Sequence, residues 1–281
     1  MANNILLVGC GRMGGALLAG WLDRGLPGAD IHVVEPQVDS PCVTEFRERG
    51  VRIVPSCDAL PPAITPDVIV LAVKPQAIDD IAPPYRRFLD TGPVVLSVVA
   101  GRTINAIAVL LRPGAAIVRC MPNTPAAIRL GVTVACANAH AREDQRALCA
   151  RLLEAVGEVL WIDDEGLMDA VTAVSGSGPA YVFLLAEELA AAGVAAGLPA
   201  ELAERLARLT IAGAGALLAG SGLPPVELRR NVTSPGGTTE AALAILQGPR
   251  GLSDLMNAAV RAATDRSRAL ARGQSATKAR E

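Results

Sequence analysis

The sequence predicts a doubly wound parallel α/β sheet followed by an all-helical domain. Three observations carry this. Short Val- and Ile-rich runs alternate with helical patterns as far as Ile162. Strand-like runs stop after Asp163, and a glycine-rich loop directly follows the first run. Strand–helix alternation is the pattern of a sheet with helices on both faces.

In chain order, Ile5–Gly9, Ile31–Glu35, Val51–Val54, Asp67–Val73, Val94–Val99 and Ala116–Met121 read as strands. They show little polar alternation, as strands buried on both faces do. Met13–Arg24 and Ile104–Leu111 read as helices between them. Two further strands are expected at Val132–Ala137 and Glu158–Ile162, separated by a helix over Glu143–Val156. Beyond the acidic turn Asp163-Asp164-Glu165-Gly166, helices are expected at Ala180–Ala196, Ala200–Leu218, Thr239–Leu246 and Leu252–Arg272. Glycine and proline breaks separate them. The expected division is 1–164 for the sheet domain, 165–273 for the helical domain and 274–281 for a flexible polar tail.

Composition narrows the function classes. Of 281 residues, 51% are hydrophobic and only 2% aromatic, so the core is aliphatic and much of the burial is expected between subunits. The net charge of −2 comes without a basic cluster, which argues against a nucleic-acid partner. The opening MANNILLVGCGRMGG lacks a charged leader, and the uncharged stretch Thr210–Val226 is glycine-rich and ends in two prolines. Neither suits a signal peptide or a membrane span. Cys10, Cys42, Cys57, Cys120, Cys136 and Cys149 show no C-x-x-C spacing. The expectation is a cytoplasmic protein with reduced thiols and no metal.

Gly9-Cys10-Gly11-Arg12-Met13-Gly14 is G-x-G-x-x-G between a strand and a helix. In that setting the glycines give a tight turn, close approach of backbone to pyrophosphate, and close helix–strand packing. The motif therefore predicts a Rossmann-type dinucleotide site. Glu35, at the end of the second strand, suits an adenosine ribose and repels a 2′-phosphate, which favours NADH over NADPH; a solvent-facing glutamate is the competing reading. Val73, Lys74 and Pro75 follow the fourth strand, and Pro122 and Asn123 the sixth, where such sheets open onto their ligand. Lys74 would neutralise phosphate or substrate charge, or stand as a solvated loop lysine. His32 and His140 adjoin no motif.

Asn231-Val232-Thr233-Ser234-Pro235-Gly236-Gly237-Thr238-Thr239 holds four hydroxyls and two glycines before a helix. Exposed amides, hydroxyls and a helix N-terminus suit a carboxylate, but the residues alone equally suit a helix cap. Val174-Ser175-Gly176-Ser177-Gly178-Pro179-Ala180 reads as a second helix start, with Ser177 either capping it or touching a ligand.

The stretches VGCGRMGGALLAG (8–20), LAVKPQ (71–76), RCMPNTPA (119–126), VTAVSGSGPAYVF (171–183) and RRNVTSPGGTTEAAL (229–243) resemble the 1-pyrroline-5-carboxylate reductase family, over nearly the whole chain. The resemblance implies a Rossmann domain, a helical dimerisation domain, and hydride transfer from NADH or NADPH to a cyclic imine, yielding proline. It implies homodimers or larger assemblies of dimers. It further implies that Thr239 hydrogen-bonds the ring nitrogen as the catalytic contact and that Asn231 lies near the nicotinamide. Thr233, Ser234, Gly236, Gly237, Thr238 and Ser177 would meet the substrate. Glu35-Pro36 departs from the family's usual Ser, Asn or Arg, and Val174 from its usual leucine. A β-hydroxyacid dehydrogenase also begins with such a glycine loop, but it uses a lysine of its helical domain as acid and base, and the one lysine in the helical half here is Lys278, in the tail. A non-catalytic dinucleotide sensor would not need residues 231–239.

Overall fold

The computed structural model describes residues 4–272. The expected tail 274–281, with Lys278, lies outside them. By internal contacts the chain divides into two compact units, one comprising residues up to Gly176 together with Thr264 onward, the other Ser177–Ala263.

The first unit is built on eight strands: β1 (Ile5–Val8), β2 (Ile31–Val34), β3 (Arg52–Val54), β4 (Val68–Leu71), β5 (Val94–Ser97), β6 (Ala116–Met121), β7 (Gly131–Ala137) and β8 (Gly157–Trp161). They form one sheet in the order β3-β2-β1-β4-β5-β6-β7-β8. All neighbours are parallel except β6 and β7. The antiparallel return was not expected. Its cause is length: a parallel crossover needs a dozen or so residues, and the connection 122–130 is shorter.

Helices α1 (Arg12–Asp23), α2 (Pro41–Glu48), α3 (Ile78–Ile81), α4 (Ile104–Leu110), α5 (Glu143–Leu153) and α6 (Met168–Val171) complete this unit, with a 3-10 run at Pro83–Thr91. Successive strand residues point to opposite faces. Ile5 and Leu7 accordingly pack with Leu17, Trp21 and Leu152, while Leu6 and Val8 pack with Tyr85, Ile107 and Ile117. Each such fully buried aliphatic side chain contributes about 1.5–3 kcal/mol. Trp21 is fully buried and its indole N–H donates to the Leu152 carbonyl at 2.8 Å, tying α1 to α5. The segment from Glu165 to Gly176 groups by contacts with the sheet unit, and Met168 and Val171 pack against Val134, Cys136 and Met121.

The second unit contains α7 (Gly178–Ala195), α8 (Ala200–Ser221), α9 (Pro225–Asn231), α10 (Thr238–Leu246) and the start of α11 (Leu252–Ala271). Small residues let α7 and α8 approach closely: a Cβ on Gly193 would lie 3.2 Å from that of Ala203. Helix α7 buries none of its residues, and Phe183, Leu209, Ile245 and Leu255 are all more than half exposed. Apolar area on that scale marks an interaction surface. The helical run Glu165–Ala195 is long and apolar enough to cross a membrane by length and composition.

Candidate active site

The order of strands reverses between β1 and β4, and in such sheets ligands bind beyond the carboxyl ends of the strands at that point. The glycine loop lies there. Gly9 has a φ of +93°, and a Cβ on it would lie 2.7 Å from the Ala72 carbonyl oxygen. A Cβ on Gly14 would lie 2.1 Å from the Gly9 carbonyl oxygen, so only glycine lets α1 pack this close to β1. A Cβ on Gly11 would meet nothing within 4 Å. The loop's outer face is thus open to a phosphate. Gly11 caps α1 without a side chain, and the first turn of α1 holds no acid. The N–H groups of Arg12, Met13 and Gly14 have no partner within the helix. These residues fit a dinucleotide pyrophosphate.

A cleft of about 600 Å³ extends from this loop and brings together Gly9, Gly11, Glu35, Val73 and Lys74. Glu35 does more than sequence reasoning anticipated. Its Oε2 accepts from the Cys10 N–H at 2.8 Å and its Oε1 from the Gln37 N–H at 3.1 Å. A carboxylate accepts up to about four hydrogen bonds, so capacity for ribose hydroxyls remains. Asp58 and Asp80 also line the cleft, and Lys74 is the only cation among its lining residues. Arg102 pairs with Asp79 and donates to the Pro75 carbonyl at 3.2 Å, bracing the Lys74-Pro75 loop. None of Asp58, Asp80 and Arg102 falls in a motif.

The parallel strands β4, β5 and β6 end on the same edge as the glycine loop. Pro122 is buried there, and the side chain of Asn123 is engaged at both ends. Its Oδ1 accepts from the Val132 N–H at 3.0 Å, and its Nδ2 donates to the Ser175 carbonyl at 3.3 Å. Arg119, nearly buried, pairs with Glu165 at 2.7 Å, and the same carboxylate oxygen accepts from the Ile104 N–H at 2.8 Å.

Helix α7 starts within the run 174–180, at Gly178 with Pro179 in its first turn, as expected. A helical path begins at Glu165 and passes through a π turn over Thr172–Gly176 before α7. Ser177 has helical angles, φ −84° and ψ −22°, and makes no cap bond. The hydroxyls of Thr172 and Ser175 instead donate to the carbonyls of Met168 and Val171. Such back-bonding bends helices, and π turns gather at functional sites.

In the second unit Asn231 is the last residue of α9, a helix not evident in the sequence because Pro224-Pro225 reads as a break. Pro225 instead occupies the first turn, where a missing N–H costs nothing. The Thr233 hydroxyl donates to the Arg229 carbonyl at 2.6 Å. The amides expected to stand open are partly engaged: Gly236 N–H donates to Glu240 Oε2 at 2.7 Å and Gly237 N–H to the Ser234 carbonyl at 3.0 Å. Gly236 has a φ of +71°, which turns the chain into α10. The hydroxyls of Ser234, Thr238 and Thr239 have no partner among the described residues. Together with the unpaired N–H groups of α10's first turn, they leave several donors available at the start of that helix.

Burial pushes the Cys149 thiol up to about 12 and the Cys120 thiol well above its ordinary range. No cluster of metal-ligating side chains occurs among the described residues. His32 is buried in β2, where desolvation and then the Arg52 charge lower its pKa.

A family profile described as "Pyrroline-5-carboxylate reductase dimerisation" matches residues 165–270, and one described as "NADP oxidoreductase coenzyme F420-dependent" matches residues 4–101. The pyrroline-5-carboxylate reductase of Pseudomonas aeruginosa is 40% identical over 270 residues, spanning 95% of this chain and 96% of the relative. The solved structure of a pyrroline-5-carboxylate reductase from Coxiella burnetii superposes with a TM-score of 0.89 at 35% identity, covering 96% and 99% of the two chains. The Plasmodium falciparum pyrroline carboxylate reductase, solved with NADP bound, gives 0.81 at 28% identity over 96% and 98%.

Proposed function

The chain belongs to the pyrroline-5-carboxylate reductase family, and on that premise we propose how its residues share out the reaction. That reaction is the reduction of pyrroline-5-carboxylate to proline. A nicotinamide cofactor supplies the hydride. The helical domain self-associates; we place the active form as a homodimer or an assembly of dimers in the cytoplasm.

Gly9, Gly11 and Gly14 shape the pyrophosphate cradle, and the N–H groups of Arg12 and Met13 at the start of α1 donate to it. Glu35 accepts the ribose hydroxyls. Three carboxylates against one lysine in the cleft oppose an added 2′-phosphate, so NADH is the preferred reductant. Val73, Lys74 and Pro75 wall the dinucleotide, with Pro122, Asn123 and Asn231 toward its nicotinamide end.

The substrate carboxylate binds at the start of α10, held by Ser234, Thr238 and the backbone of Gly236 and Gly237, with Thr233 shaping the turn and Ser177 a further contact. The helix dipole favours an anion there. Thr239 places its hydroxyl on the ring nitrogen. A protonated imine is already electrophilic, so orientation matters more than a strong acid. The observation that supports this most is that the Ser234, Thr238 and Thr239 hydroxyls have no partner among the described residues. Purified protein mixed with the imine and NADH should consume reduced nicotinamide; cofactor binding without turnover would mean a sensor instead.

A further inference from the structure

The π turn leaves one backbone acceptor short of a donor, and a distant side chain supplies it. In an α-helix the Ser175 carbonyl accepts from the N–H four residues on. That residue is Pro179, which has none. Ala180, the next donor, is committed to the Ser177 carbonyl at 3.0 Å. The Ser175 carbonyl accepts instead from Asn123 Nδ2 at 3.3 Å. Asn123 is held from its other end, where Val132 N–H donates to Oδ1 at 3.0 Å. One side chain therefore joins the end of β6, the start of β7 and the π turn. A Cβ on Gly176 would come within 2.5 Å of Met121 Cε, which is the free end of a flexible side chain.

We infer that Pro179 and Asn123 form a two-part clamp, in which the donor missing from proline obliges the turn to bind the sheet edge. Asn123 is then a positioning residue: it fixes the turn beside the nicotinamide end and does not grip the cofactor. This rests on the reading of that edge given above. Nothing in the motif assigns the pairing, because the bond spans 52 residues.

Two substitutions separate the parts. Asn123→Asp keeps the acceptor for Val132 but loses the donor to Ser175. Pro179→Ala restores an N–H at 179. In Pro179→Ala, hydrogen exchange should show a protected amide at 179, and kcat should fall several-fold with the KM for NADH within about twofold of wild type. Asn123→Asp should lower kcat about tenfold, the worth of one hydrogen bond, and lower Tm by about 2–4 °C. Combined with Pro179→Ala it should cost little more, because Ser175 then has its own donor. Simple additivity of the two changes would overturn the clamp, as would a freely exchanging amide at 179. So would an Asn123→Asp enzyme with normal kcat and a raised KM for NADH. The exchange measurement needs no turnover, so it stands apart from the assignment of the reaction.

Discussion

Individual residues split into those already bonded and those left available, and that split predicts what mutation does. Thr239 has no hydroxyl partner among the described residues. Thr239→Ala should leave Tm unchanged and lower turnover about tenfold, the loss of one bond of about 1.4 kcal/mol made in the transition state. Unchanged steady-state kinetics would remove it from the mechanism. Thr233 should behave oppositely, since its hydroxyl already serves the Arg229 carbonyl. A Cβ at Gly237 would lie 3.0 Å from the Ser234 carbonyl oxygen. Gly237→Val should therefore raise substrate KM sharply, and a normal KM would place the carboxylate elsewhere. Glu35→Ser should shift the ratio of kcat/KM values toward NADPH and weaken NADH binding, because the Cys10 N–H loses its acceptor. Wild-type preference for NADPH would refute that assignment. His32 gives the pH term. Its pKa is lowered by burial, so the unfolded chain binds a proton that the folded one resists. Stability should be flat above about 6.5 and fall as pH drops below it, and His32→Gln should flatten the titrated Tm.

At the level of elements, the sequence was legible where the signal is local. β1 and β4 read as continuous apolar runs because both their faces are buried. The glycine loop was legible because its three steric tasks fall within six positions. Signals that depend on distant partners were not. Nothing near Arg119 announces Glu165, 46 residues away, and nothing near Asn123 announces Ser175. The start of α7 was legible in Ser-Gly-Ser-Gly-Pro, but the π turn over Thr172–Gly176 that leads into it was not, because it depends on packing of residues 165–176 against the sheet. The direction of β7 was hidden too, since alternation tells which face a residue takes and not which way a strand runs. The Arg119–Glu165 pair offers a test. Arg119→Met strands a carboxylate and should destabilise the protein by about 3 kcal/mol, whereas Arg119→Met with Glu165→Leu should recover most of it. Equal losses on denaturant titration would show that Arg119 acts through its packing alone.

For the whole molecule, the composition predicts that much of the burial lies between subunits. Helix α7, with none of its residues buried in the single chain, is where this is plainest. Phe183, 67% exposed, should lie in a subunit contact. Phe183→Glu should shift the sedimentation coefficient toward monomer and lower Tm in a manner that depends on protein concentration. An unchanged assembly would remove Phe183 from the interface.

The indole buried between α1 and α5 has a practical corollary. The chain has two tryptophans, Trp21 and Trp161, and both lie in the sheet unit. Tryptophan emission, excited selectively over tyrosine, is therefore a one-sided reporter, brightening or reddening with the nucleotide-cradling half while the helical half melts in the dark. Unfolding traced by emission and by far-ultraviolet dichroism should part company wherever the helical unit loosens first.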